Sequence, residues 1–232
     1  MNKIKTISLI TVLLLTTVGF GTIQADITQQ TNNNFYNGQL RVYIVEPQSR
    51  WDNFDDDPYH YGFLDYAIDE TLSINYLDTY TTEVTWNAQE SGYNNVKENN
   101  IIVIAAVFNP EINKGYAYPP SRNQFDAHYV DAAAGATPGN IGYNQVTEDF
   151  THTVFVEEAT ATWCPYCPPM AEALNDVYQS KDYPMYFVAL IADKSDEALV
   201  KLQQEYNLYG YPTAFFDGGY KVLVGGYDSE SY

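Results

Sequence analysis

Through the first half of the chain, apolar and polar residues alternate in short runs. Leu40, Val42 and Ile44 share one face, with Arg41 and Tyr43 between them, and Tyr80, Thr82, Val84 and Trp86 share another. A period of two is that of a strand with one covered face. Ile101 to Phe108 is a continuous apolar run bounded by Asn-Asn and Asn-Pro. Short β-branched or aromatic segments separated by Gly, Asn, Asp and Pro loops predict an all-β sandwich over residues 38–135. Tyr61 to Leu72 fits a short helix or a further strand equally well, through Phe63, Ala67, Ile68 and Leu72. The polar stretch Thr28 to Asn37 reads as a flexible leader to this region.

Gly135-Ala136-Thr137-Pro138-Gly139-Asn140, followed by Gly142, reads as a connector, and beyond it the period changes. Val154-Phe155-Val156 is a buried strand, and Met170, Ala173, Leu174 and Val177 have helical spacing. Tyr186 to Ile191 is an apolar strand of the kind covered on both faces. Glu197 to Tyr206 places Leu199, Leu202 and Tyr206 on one side of a helix. Thr213 to Phe216, the turn Asp217-Gly218-Gly219, and Lys221 to Val224 make a hairpin. The order strand, helix, strand, helix, strand, strand predicts an α/β domain over residues 150–232.

The first residues add a destination. Lys3 and Lys5 precede an apolar run from Ile7 to Phe20, and Gln24-Ala25 stands before Asp26. That is the pattern of a signal peptide over residues 1–25. Ser8, Thr11, Thr16, Thr17 and Gly19 interrupt the run, so no stable membrane span is expected. The chain is read as extracytoplasmic: secreted, periplasmic or at the cell surface. Its formal charge of −19 repels phosphate backbones and anionic headgroups, which argues against nucleic-acid partners.

Asp52, Asn53, Asp55, Asp56 and Asp57 gather oxygen donors in one loop, but without the Gly and distal Glu of a calcium-binding EF-hand. They read as a solvated acidic turn. Trp51, Tyr59, His60 and Tyr61 flank it, as an aromatic binding surface or as half-buried strand residues.

Both cysteines of the chain lie in Trp163-Cys164-Pro165-Tyr166-Cys167. Closing so short a ring lowers unfolded-state entropy by only about 2 kcal/mol, against roughly 4–5 kcal/mol for a long loop. The pair is therefore poorly placed as a staple and well placed for reversible exchange. Zinc needs about four ligands, and the chain offers two cysteines and the scattered His60, His128 and His152. An inert disulfide is the remaining reading, and redox exchange is the expectation. No metal or other cofactor is called for. A helix N-terminus stabilises a thiolate, so Cys164 is expected as the exposed attacking thiol and Cys167, one turn in, as the resolving one.

Cys-x-x-Cys at the start of the first helix of this element order resembles the thioredoxin superfamily. Trp163 directly before the first cysteine, Tyr211-Pro212-Thr213 just before the penultimate strand, and Glu158 on the strand leading in extend the resemblance over residues 150–228. The resemblance implies a thioredoxin-like α/β fold and thiol-disulfide oxidoreductase activity. It implies that Glu158 is a buried acid relaying the proton of Cys167. It makes Pro212 a cis-proline beside the site, with the backbone of Tyr211 free to pair with an extended substrate. Trp163, Pro165 and Tyr166 then border the cysteines as substrate contacts. Glu157 is adjacent to Glu158, and one of the two is expected to point outward.

The chain also departs from the family. The family's closing helix is missing after Asp228-Ser229-Glu230, so a truncated domain is expected. Pro168 and Pro169 follow Cys167 directly, in place of a kinking proline deeper in the helix. Val188-Ala189-Leu190 offers no lysine to face the acid. Pro165-Tyr166 is the dipeptide typical of glutaredoxins, yet the basic residues that would grip glutathione are scarce.

The expected fold is an immunoglobulin-like β-sandwich followed by a thioredoxin-like α/β domain. It would act on protein thiols or disulfides with an unidentified redox partner. The alternative is a surface interaction protein whose β-domain binds a partner and whose Cys-x-x-Cys is structural.

Overall fold

In the computed structural model, residues 7–17, 20–29, 35–144 and 149–225 are described. The alternating stretches are strands, and several are far longer than their sequence runs announce. They are β1 (Ile7–Thr17), β2 (Phe20–Gln29), β3 (Phe35–Asp52), β4 (Pro58–Asn75), β5 (Thr79–Asn87), β6 (Ile102–Tyr118), β7 (Arg122–Ala136) and β8 (Ile141–Tyr143). There follow β9 (Val154–Thr160), helix α1 (Pro168–Ser180), β10 (Met185–Ile191), helix α2 (Asp196–Val200), β11 (Thr213–Phe216) and β12 (Lys221–Val224). Tyr61 to Leu72, open between helix and strand in the sequence, lies within β4. Residues 1–6 of the expected signal peptide lie outside the described residues, and Ile7–Thr17 of that segment form β1.

The expected fold class does not hold. Strands make up 56% of the chain and helix 15%. The elements after residue 150 have the predicted order, but they do not close into a separate α/β domain after a sandwich. Instead β9 to β12 form one end of an eight-stranded sheet, in the order β12-β11-β9-β10-β4-β3-β6-β7. The physical reason is an open edge. A strand such as β10, apolar along its whole length, leaves a row of backbone groups that must be paired or covered. Here β4 pairs with it in parallel, Ala189 opposite Gly62. Gly62 permits a close approach on its own strand's other side, since a Cβ there would sit 2.6 Å from Ser49 Oγ.

The chain forms two compact units that interleave along the sequence. One comprises Met1–Ile44, Asp65–Pro110 and Val130–Thr153, the other Val45–Leu64, Glu111–Tyr129 and Val154–Tyr232. Strands β3, β4, β6 and β7 contribute residues to both.

In the first unit a four-stranded sheet has the order β5-β2-β1-β8. β1 and β2 are antiparallel with Ile10 opposite Ile27, and β2 continues the ladder to β5 with Ile23 opposite Val84. Leu40, Val42 and Ile44 are buried, as their shared face requires. Asp131 is held there by Tyr36 Oη at 2.7 Å and Asn109 Nδ2 at 2.8 Å, a half-buried carboxylate supplied with donors.

The second unit holds the cysteines. β9 and β10 run parallel, Phe155 opposite Tyr186 and Glu158 opposite Ala189, and α1 connects them. β11 returns antiparallel to β9, with Ala214 opposite Glu158, and turns through Asp217–Gly219 into β12. Gly218 and Gly219 take φ of 67° and 101° in that turn, a conformation that glycine adopts without strain. The Asp217 carboxylate accepts from the Phe155 amide at 2.9 Å, tying the turn to the start of β9.

Helix α2 starts at a capping residue, Ser195, whose hydroxyl accepts from Ala198 N at 3.2 Å. It continues through a π-helical turn, Lys201–Glu205. No helix among the described residues is long and apolar enough to cross a membrane.

Candidate functional site

β9 ends at Thr160, and the chain turns sharply. The Cys164 amide donates to Ala161 O at 3.0 Å, and the Cys167 amide donates to Cys164 O at 3.3 Å. Cys167 is the N-cap of α1, and its carbonyl accepts from Met170 N and Ala171 N at 3.1 and 3.2 Å. Pro168 and Pro169 occupy the first helical positions, where a missing N–H leaves nothing unpaired. Local sequence thus places both sulfurs at the positive end of a helix. They are joined as the Cys164–Cys167 disulfide, with Cα atoms 5.5 Å apart.

The surroundings of Cys164 differ from the sequence expectation. Cys164 is 2% exposed, so in the disulfide form the expected attacking sulfur is covered rather than open. Tyr211 packs against the cluster of Ala161, Cys164 and Cys167. The register that sets Thr213 opposite Ala159 brings Tyr211 to the Ala161 end of β9. The Trp163 ring meets the Tyr211 ring edge-on at 5.6 Å. The Tyr211–Pro212 peptide is cis, and Pro212 is buried with its carbonyl accepting from Gly225 N at 2.9 Å. Trp163, Pro165 and Tyr166 are exposed around the cysteines.

Both acids of Glu157-Glu158 are fully buried, so neither points outward as expected. Alternation along β9 still sends them to opposite sides, but both sides of this strand are covered. Glu157 accepts a hydrogen bond from the Tyr206 hydroxyl and an ion pair from Lys201 Nζ at 3.3 Å. Lys201, itself 3% exposed, also reaches Glu205 at 3.0 Å. Phe125 and Phe215 wall this side, with Phe215 stacked on Tyr206 at 3.9 Å.

Glu158 is the opposite case. Neither carboxyl oxygen has a hydrogen-bond partner. Burial pushes its pKa up to about 8, so the acid is largely protonated at neutral pH.

Three residues that sequence reasoning did not place at the site complete it. Tyr59, from β4, packs its ring on Ala171 of α1 and on Ala189 and Ile191 of β10. Its hydroxyl donates to Ala161 O at 3.0 Å and accepts from Thr160 Oγ1 at 2.8 Å. Asp193, just after β10, accepts from Thr162 N at 2.9 Å and Thr162 Oγ1 at 2.6 Å, and pairs with Lys194. Partial burial alone would raise its pKa, but the donors from Thr162 and Lys194 together hold it below the usual carboxylate value. Lys201 is the one basic residue of the segment from Glu197 to Tyr206, between Val200 and Leu202.

The acidic loop is organised by one side chain. Asn53 Oδ1 accepts from Asp55 N at 2.8 Å and Asp57 N at 3.2 Å. Among the described residues no group of three His, Cys, Asp or Glu side chains converges as a metal site. Tyr59 and Tyr61 beside the loop are buried, so the flanking aromatics do not form an exposed surface.

No protein-family model matches the chain, and no curated protein matches it.

Proposed function

We propose that the chain is an extracytoplasmic thiol-disulfide oxidoreductase that works through the Cys164/Cys167 couple. The observation that carries this reading is a disulfide of sequence separation 3 at the start of a helix, with a fully buried acid without a hydrogen-bond partner, Glu158, on the strand that leads into it. A stability-driven structure has no use for such an acid. Burying an unpartnered polar group costs roughly 1–3 kcal/mol, and an apolar residue at the same place avoids that cost.

In the reduced protein, Cys164 thiolate attacks a sulfur of a substrate disulfide. A new S–S bond joins Cys164 to the substrate, and the other substrate sulfur leaves as thiolate. Cys167 then loses its proton to ionised Glu158 and attacks Cys164 Sγ. The mixed disulfide breaks, the substrate leaves as dithiol, and two electrons have passed from the couple to the substrate. The oxidised protein runs the same steps in reverse. The Trp163-Cys-x-x-Cys motif and the Tyr211-Pro212 segment, which resemble the thioredoxin superfamily at these positions, support the reading. The leader pattern at Lys3 to Ala25 and the presence of a disulfide support an oxidising, extracytoplasmic compartment.

The test is trapping. Cys167→Ser is expected to accumulate mixed disulfides with protein substrates through Cys164, and Cys164→Ser to accumulate none. Trapping by Cys164→Ser instead would reverse the roles. The burial of both sulfurs favours a second reading, in which the disulfide is a structural element of an interaction protein. Trapping by neither variant would favour that one.

A further inference from the structure

Resting on the exchange reading, we propose that Tyr59 is a positioning residue for Cys164, holding the turn that carries this cysteine in fixed relation to helix α1. Three hydrogen bonds form a chain. Thr160 Oγ1 donates to the Tyr59 hydroxyl at 2.8 Å, and that hydroxyl donates to Ala161 O at 3.0 Å. The same carbonyl accepts the Cys164 amide at 3.0 Å. The ring of Tyr59 meanwhile packs on Ala171, within the first turn of α1, and on Ala189 and Ile191 beneath it. One side chain therefore grips both the carbonyl from which Cys164 hangs and the helix whose N-terminus must stabilise its thiolate.

That grip matters because the helix effect is short-ranged. The favourable interaction of a negative charge with a helix N-terminus falls off within the first turn. A turn free to shift relative to α1 stabilises the thiolate less. Burial of Tyr59 keeps its hydroxyl protonated, and hence a donor. The titratable groups around this turn include Asp193, bound to Thr162 and paired with Lys194, Tyr211, packed on Cys164 and Cys167, and Glu158, one pleat before Thr160. They do not replace Tyr59: the Asp193 carboxylate cannot donate to Ala161 O, and Glu158 makes no hydrogen bond. Tyr59 reaches the site from a strand more than a hundred residues upstream (|i−j| = 102 for its bond to Ala161), which explains why the local motif gives no hint of it.

Tyr59→Phe in the full chain keeps the ring and removes the hydroxyl. Two quantities report on it: the equilibrium constant of the couple against glutathione redox buffers, and the pH profile of Cys164 alkylation in the Cys167→Ser background. With less thiolate stabilisation the reduced form loses ground. The constant is expected to move about tenfold toward the disulfide, which is about 30 mV more negative, and the alkylation midpoint to rise. A folded Tyr59→Phe protein with wild-type values of both overturns the proposal, even if it melts earlier, because then Tyr59 only packs. If Tyr59→Phe does not fold, Thr160→Val, which removes the donor behind the Tyr59 hydroxyl, is expected to shift both quantities in the same direction by less; no shift overturns the proposal. A wild-type protein that exchanges with no thiol overturns the exchange reading itself, and this inference with it.

Discussion

On one side of strand β9, Glu157 meets Lys201 and Tyr206; one residue further along and on the other side, Glu158 meets no donor at all. Both acids are equally buried, on the same strand, between the same neighbours β10 and β11. The first is a closed electrostatic lock, with its charge neutralised and its hydrogen-bonding capacity used. The second keeps its capacity unused on the strand that leads into the cysteine pair. The difference teaches how to separate structural from chemical polarity in a core. A buried charge that serves stability is paired, and an unpaired one needs another explanation.

The comparison breaks most visibly at the lock. Glu157→Ala leaves Lys201 buried with the part-exposed Glu205 as its remaining carboxylate neighbour at 3.0 Å. Breaking a buried pair from one side costs about 3–5 kcal/mol, and urea denaturation is expected to read a loss of that order. Glu157→Gln combined with Lys201→Met is expected to recover most of it. A single-variant cost under about 1 kcal/mol would mean that the pair locks nothing.

Glu158 is expected to behave in the opposite sense. Its folded pKa, about 8, lies above the ordinary 4.5. Between those two values the unfolded chain has released a proton that the folded chain retains. Stability therefore falls as pH rises from about 4.5 to about 8, at up to 1.36 kcal/mol per unit, and levels off above. Glu158→Gln removes the titration, so at pH 8 it is expected to be more stable than wild type by roughly 2–4 kcal/mol, with little difference at pH 4. Identical stability profiles for the two proteins would mean that Glu158 is not held protonated by burial.

The same substitution carries a smaller kinetic effect. With Glu158 removed as the base, resolution of a trapped mixed disulfide is expected to slow roughly a hundredfold, the low end of the range for a lost general base. The rise in rate through pH 8 is expected to disappear. An unchanged profile would leave Glu158 without a part in the proton transfer. The smallest effect expected is that of the disulfide on stability. The short ring predicts that reduction changes the unfolding free energy by no more than about 2 kcal/mol, which denaturation of oxidised and reduced protein side by side measures. Outright unfolding on reduction would make the pair a staple.

Local chemistry was legible in the sequence, and long-range pairing was not. Two cysteines three residues apart, a tyrosyl-proline before a strand, and helical spacing over Met170 to Val177 each act within a few residues, and each gives the corresponding local element. The fold class failed because edge pairing is a tertiary matter. Nothing near Ala189 announces that Gly62 will lie beside it, and β3, β4, β6 and β7 read as short strands because their buried faces change along their length. Glu157 misled for the same reason, since a second covered face cannot be seen from one strand. Tyr59 was visible as an aromatic in an alternating run, but its partners at Thr160 and Ala161 were not.

The measurement that bears most directly on the account is the reduction potential of the Cys164/Cys167 couple in the wild-type protein, by equilibration with glutathione or dithiothreitol buffers. An exchanging couple is expected between about −120 and −270 mV, the range from strongly oxidising to strongly reducing members of known dithiol systems. The lower end would mark a reductase and the upper end an oxidase. A value below about −300 mV, characteristic of structural disulfides that the glutathione pool does not reduce, would contradict the account.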